Sequence, residues 1–215
     1  MVSRKANSSS DGSLVERDSR PEARRARRVK KPLDAAMLRD LALHYAARFA
    51  STGARLEAYL VRKIKERGLV DDAEIDVPAL VARLIELGYV DDDAYARMRA
   101  RDLGARGYGA RRVEESLRHA GVTESLRQAH APGDAASRRA AALMARKRRL
   151  GPFAAHSGEV DPVIRRKAHE KAVAAMLRAG HEYEHVRFIL AAESSKDVDD
   201  WIGEAAGDEG TITRW

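Results

Sequence analysis

Apolar positions along this 215-residue chain fall four apart in short runs, and each run closes on a glycine. Leu60, Ile64 and Gly68 make the first such ending, Val113, Leu117 and Gly121 the second, and Ala172, Met176 and Gly180 a weaker third. Residues four apart share one face of an α-helix. Glycine enters the left-handed conformation that ends a helix without steric cost. Gly121 follows Gly68 by 53 positions, and Gly180 follows Gly121 by 59. The period predicts a helical unit repeated about three times, and stacked units of that kind build surfaces suited to large partners.

Asp34 is placed to cap a first helix whose stripe is Leu38, Leu41, Tyr45 and Phe49. Ser51-Thr52-Gly53 ends it, and a second helix runs over Leu56, Leu60 and Ile64 to Gly68. After a loop, a third carries Val77, Leu80, Val81 and Leu84, with Pro78 in its first turn and Gly88 at its end. Asp91, Asp92 and Asp93 open the second unit, where Tyr95-Ala96 echoes Tyr45-Ala46. A turn rich in glycine (Gly104, Gly107, Gly109) precedes the helix of Val113 and Leu117, and a short helix over 122–130 stops before Pro132. The third unit starts near Asp134 and turns Ala140, Leu143, Met144 and Leu150 inward. A Gly/Pro loop over 151–162 follows, then Ile164, Ala168, Ala172 and Met176 lead to Gly180, and Tyr183, Val186, Ile189 and Leu190 make the last stripe.

Strand-like alternation never persists, so the fold class is all-α: about three tandem three-helix repeats, at 34–90, 91–133 and 134–192. One thin stripe returns less free energy than ordering its backbone costs. The repeats must therefore lean on one another, which predicts an elongated, curved arrangement.

Composition sharpens this picture. Only 5% of residues are aromatic while 34% are charged, which favours thin helical stripes over a sheet-based core. The chain has no cysteine, which excludes disulfides and thiolate metal sites and fits a reducing cytoplasm. No apolar run reaches the length of a membrane span, and the first residues lack the apolar stretch of a signal peptide. The net charge of +7 is uneven: +6 over residues 1–33, −5 from Glu193 to the end, and +6 in the helical body. Both ends read as disordered tails, a basic one over 1–33 and an acidic one over 193–215.

The candidate chemistry is basic. Arg97, Arg99, Arg101, Arg106, Arg111 and Arg112 cluster about the central glycine turn, with Asp102 among them. Arg146, Lys147, Arg148 and Arg149 form a second patch on the corresponding helix of the next unit. Guanidinium groups pair bidentately with carboxylates or phosphates, so these residues suit either a contact surface or a solvated helix face. Tyr108, between two glycines, packs or stacks. Asp91 and Asp92 are explained by helix capping, because neighbours at a helix start do not face each other. Gly107-Tyr108-Gly109 follows no strand and lacks a third glycine, so it predicts no nucleotide site. His181-Glu182-Tyr183-Glu184-His185 satisfies the His-Glu-x-x-His zinc pattern, but it begins directly after Gly180 and has no evident third ligand. The expectation is therefore no catalytic, cofactor or metal site.

Several short anchors resemble the RecX family, regulators of the bacterial recombinase RecA. They are Tyr89-Val90-Asp91-Asp92 with Tyr95-Ala96, Arg106-Gly107-Tyr108-Gly109 with Arg111-Arg112-Val113, and Leu177-Arg178-Ala179-Gly180. The resemblance covers about residues 35–192. It implies tandem three-helix repeats and a non-catalytic monomer that lies in the RecA–DNA filament groove. There it would restrain filament growth, ATP hydrolysis and strand exchange in recombination, DNA repair and the SOS response, with weak non-specific DNA contact. The chain departs from the family pattern in its basic leader, the 151–162 insertion, the acidic end, and His181 in place of an aromatic. The alternative reading is a helical DNA-binding transcription regulator. On either reading the contact residues would be Arg97, Arg101, Arg106, Tyr108, Arg111, Arg112, Arg146, Lys147, Arg148 and Arg149.

Overall fold

The computed structural model describes residues 31–70, 75–154 and 161–212, with side chains through residue 206. From Pro32 onward the chain forms one compact unit. Ten α-helices make up the described residues, and no strand occurs among them. The first trio is α1 (Ala35–Arg48), α2 (Gly53–Arg67) and α3 (Val77–Glu86); the second is α4 (Asp92–Arg106), α5 (Ala110–His119) and α6 (Glu124–Ala129). The third trio is α7 (Asp134–Arg148), α8 (Pro162–Arg178) and α9 (Tyr183–Ala191), and α10 (Ser195–Ile212) follows. A 3-10 turn over Gly151–Phe153 links α7 to the segment before α8.

Helix starts follow the local chemistry. The carboxylate of Asp34 accepts the Met37 amide at 2.7 Å, Asp76 that of Ala79 at 2.9 Å, and Asp91 that of Ala94 at 2.8 Å. Each satisfies a donor that the helix itself leaves unpaired. Buried apolar side chains gather in three clusters. Leu38, Leu56, Leu60 and Val81 centre the first, Leu103, Val113 and Leu117 the second, and Met176, Val186, Ile189 and Trp201 the third. Each fully covered side chain of this kind stabilises its cluster by roughly 1.5–3 kcal/mol.

Three details differ from the sequence expectations. Phe49 is 50% exposed: it lies just past α1, its amide bonds the Tyr45 carbonyl, and Ala42 takes the buried place on the stripe. Val163 and Ile164 are more than half exposed, because no described residue covers the first turns of α8. The acidic end expected as a disordered tail over 193–215 is instead α10 over Ser195–Ile212, docked on α7. Val198, Trp201 and Ala205 are buried there, a helical stripe hidden in an acidic stretch. Trp201 stacks on Phe188 at 4.5 Å, meets the His185 ring edge at 5.3 Å, and lies 4.7 Å from the Arg138 guanidinium. The basic tail expected over 1–33 lies outside the described residues as far as 30, but Leu33 is fully buried and belongs to the first cluster.

One joint recurs between the trios. In each trio the turn after the second helix contains a glycine at positive φ, namely Gly68, Gly121 and Gly180. The turn between the first two helices of one trio seats on that turn in the next. Between trios one and two, the Thr52 hydroxyl donates to the Ala120 carbonyl, and Gly121 faces Ala54 so closely that a Cβ would fall 2.3 Å from it. Gly53 N–H bonds the Asp92 carboxylate at 2.9 Å, and Arg55 donates to the Tyr95 hydroxyl at 2.6 Å. Between trios two and three, Gly109 N–H bonds the Ala179 carbonyl at 2.9 Å and Arg111 N–H the Gly180 carbonyl at 3.2 Å. A Cβ on Gly109 would lie 2.3 Å from Gly180 O, and one on Gly180 only 2.4 Å from Arg112 N. At the first trio the same seat is filled by the leader: Leu33 N–H bonds Gly68 O at 2.9 Å, and Val70 N–H bonds Leu33 O at 3.0 Å.

His181 completes the second joint. Its Nε2–H donates to the Gly107 carbonyl at 3.1 Å, while Nδ1 is buried without a partner. Burial holds the ring below its ordinary titration range, against the Gly107 carbonyl, which favours the charged form; the neighbouring His185 lowers it further.

Two expectations follow from this joint. Gly68→Ala meets open space but must hold φ 75° with ψ 168°, a backbone region that essentially only glycine enters, which costs about 1–3 kcal/mol. Gly109→Ala, at ordinary φ, should cost roughly 1–3 kcal/mol through the clash alone, and Gly180→Ala should cost more than either. Urea unfolding of the three variants measures this order, and equal losses at Gly68 and Gly180 would show that the joint bears no load. For His181 the unfolded chain binds the proton more readily than the folded one, so its contribution to stability is whole above pH 6.5 and drains as pH falls through the lowered folded value. The urea midpoint should drop between pH 7.5 and 5, and His181→Phe should flatten that drop; an unchanged slope in the variant counts against the assignment.

Candidate partner-binding surface

The expected basic residues divide by what they touch. Asp102 takes two arginines at once: Arg106 at 3.0 Å and Arg99 at 3.3 Å, the latter also bonded to the Ser116 hydroxyl at 2.9 Å. Arg112 pairs with Glu115 at 2.6 Å, and that hydrogen bond holds the Glu115 carboxyl below its usual range. Arg97 lies 3.9 Å from Asp93. The side chains of Arg101 and Arg111 are exposed and have no partner among the described residues. Exposed pairs of this kind contribute little to stability, so the paired arginines remain available to a partner offering better geometry.

The second patch sits at the end of α7. Arg146 is drawn into a structural role, pairing with Asp199 of α10 and lying over the Phe153 ring at 5.1 Å. Lys147 reaches back to the Arg106 carbonyl at 3.4 Å, so the two patches, distant in sequence, meet where α4 and α7 end. Arg148 and Arg149 are exposed, and Arg149 closes α7 in a left-handed conformation (φ 53°).

Three adjoining hollows run across these residues. One, about 550 Å³, lies between α4, the end of α6 and α7, with Arg97, Arg101 and Arg139 at its rim. The next, about 320 Å³, brings Arg106, Tyr108 and Arg112 together with Arg55 of the first trio. The third, about 550 Å³, lies between α5 and the end of α8, among Arg111, Arg118 and Arg178. Tyr108 lines the first and second, and Arg112 and Glu115 line the second and third, so the hollows form a continuous track. Tyr108 is 38% exposed at the first boundary and is free to stack as well as pack.

Arg55, Arg118, Arg139 and Arg178 were not singled out as contact residues by sequence reasoning. Arg118 follows Arg111 by seven positions, two turns on the same face of α5, and that spacing was a usable signal. Arg55, Arg139 and Arg178 reach the track only through the joints and the α4–α7 packing, which no local pattern announces.

The two histidines of the zinc-like pattern are drawn to different elements. His181 precedes α9 and bonds the Gly107 carbonyl, whereas His185, in the first turn of α9, bonds the Asp134 carboxylate at 3.1 Å. Among the described residues no three His, Cys, Asp or Glu side chains converge as a metal site, and no helix is long and apolar enough to cross a membrane.

No family model matches the chain. A regulatory protein RecX of Myxococcus xanthus (strain DK1622) is 34% identical over 176 residues, covering 76% of this chain and 90% of the relative. The crystal structure of RecX from Lactobacillus salivarius superposes with a TM-score of 0.56 at 17% identity, covering 76% of this chain and 96% of that one, which shows a shared fold. With repeated helical trios, a shared fold and 34% identity to a relative over 76% of its length, the chain belongs to the RecX family of regulatory proteins.

Proposed function

We propose that this protein binds the RecA recombinase filament and restrains its growth, its ATP hydrolysis and strand exchange, acting without catalysis in recombination, DNA repair and the cytoplasmic SOS response. The observation that carries the reading is the continuous track of three hollows, in which Arg101, Arg111, Arg139 and Arg178 face outward without partners among the described residues. Unpaired guanidiniums of one sign repel one another, so their concentration on one track favours an extended target of opposite charge. A filament repeats its surface, and a chain of linked trios gains affinity from each further contact through effective concentration. Weak, unselective contact with filament DNA fits the same charge.

Reversing Arg111 and Arg178 to Glu removes two unpaired charges from exposed sites. The variant should melt within about 0.5 kcal/mol of the parent, and inhibition of RecA ATPase should weaken about tenfold or more, as a loss of 1.4 kcal/mol or greater implies. Raising salt should weaken the parent in the same direction. Undiminished inhibition by the folded variant rejects the track as the contact surface. Sequence-selective binding to duplex DNA without RecA would favour a transcription regulator instead.

A further inference from the structure

The hollow between α4 and α7 differs in chemistry from the rest of the track. Its walls are small and apolar, chiefly alanines such as Ala100, Ala136 and Ala140, with Leu143 beside them. No carboxylate lines it, and its charged rim is Arg97, Arg101 and Arg139. His130, also at the edge, is already engaged by Asp93 at 2.7 Å.

Gly104 stands in this wall, near the middle of the last turns of α4. Its conformation is ordinary, since it is not among the glycines at positive φ, and the helix is ended by Gly107 three residues later. A Cβ at Gly104 would meet nothing within 4 Å. By contrast, Gly109 and Gly180 are held small by direct backbone approach, and Gly107 by positive φ and the nearby backbone of α7. Gly203 of α10 also faces open space, but it is exposed and lines none of the three hollows. A helix-interior glycine is less favourable than any other residue but proline. Among the described residues neither backbone nor packing accounts for Gly104; the empty volume beside it does.

We infer that this hollow is a docking pocket for a bulky apolar side chain carried on an acidic segment of a protein partner, with Gly104 leaving the room and Arg101 and Arg139 receiving the flanking carboxylates. The inference rests on the RecA reading and narrows it: here the filament is gripped through its protein, not its DNA. A phosphate would find cations only at the rim and an apolar floor beneath. An aliphatic or aromatic anchor gains by leaving water for that floor, and a volume of about 550 Å³ accommodates one with part of its neighbours.

The test uses the full chain with Gly104→Ala and Gly104→Leu. Both are better helix formers than glycine and enter open space, so both should melt at or above the parent temperature. Gly104→Leu fills the pocket and should inhibit RecA ATPase about tenfold less well, the effect of losing one well-buried anchor. Gly104→Ala should be intermediate, and it carries the test alone if the leucine variant fails to fold. Affinity of all three proteins for single-stranded DNA without RecA should be the same. If Gly104→Leu is folded and inhibits as well as the parent, the pocket assignment is overturned while the RecA reading stands. A matching loss of DNA affinity would make the occupant a nucleic acid and overturn the inference. If the parent itself leaves RecA ATPase untouched, the RecA reading fails and takes the partner named for the pocket with it.

Discussion

Between the second and third helical trios backbone meets backbone, where the glycine turn at Gly180 receives the turn at Gly109, and between the first and second the same seat is held by the Thr52 hydroxyl on the Ala120 carbonyl and by Ala54 against Gly121. Side-chain packing between helices is tolerant, because one apolar residue substitutes for another with modest loss. An amide held 2.9 Å from the Ala179 carbonyl, with less than 2.5 Å left for any Cβ at Gly109 or Gly180, has no such tolerance. The joint therefore fixes register between trios that are each too small for a substantial core. It also sets where Tyr108, Arg111 and Arg112 stand, since they leave the same turn that makes the contact. His181 adds a buried donor to this seat and makes its strength depend on protonation.

Electrostatics divides the arginines by function. Those near the joints are satisfied internally: Arg55 on Tyr95, Arg99 on Ser116 and Asp102, and Arg138 on Asp134, the Trp201 carbonyl and the Trp201 ring. Arg101, Arg111, Arg139 and Arg178, at the hollows, have no such partner among the described residues. A helix-rich chain with few aromatic residues uses the long stems of arginine as packing material and their heads as contact chemistry. The same residue type thus serves both the fold and the surface, and only the three-dimensional arrangement tells the two apart.

The sequence made the helices legible through two kinds of mark: aspartates at the starts, as at Asp34 and Asp91, and glycines at the ends, as at Gly68 and Gly180. Both act locally, so a linear reading finds them. Helix α10 was missed because its acidic residues are as many as its apolar ones, although Val198, Trp201 and Ala205 keep helical spacing and bury on α7. At the surface, pairs three or four positions apart, such as Asp102 with Arg106, could be anticipated from helical geometry. The Arg146–Asp199 pair spans two helices distant in sequence, and the meeting of Arg106 with Lys147 depends on how α4 and α7 pack. The partial burial of Arg55 and the rim position of Arg139 are consequences of the joints, which local pattern does not encode.

A stack in which each member offers a projecting turn forward and a glycine seat backward is a head-to-tail arrangement, and such arrangements polymerise without limit if their ends are left open. Here both ends are closed by the chain itself. Leu33 occupies the seat at Gly68, and the 3-10 turn after α7 folds onto its own trio, with Gly151 pressed so tightly against the Ile189 carbonyl that a Cβ would lie 2.5 Å from it. The array is thus closed on both faces from within, by the segment before α1 and by the turn after α7, so that among the described residues neither face is left open for a further trio.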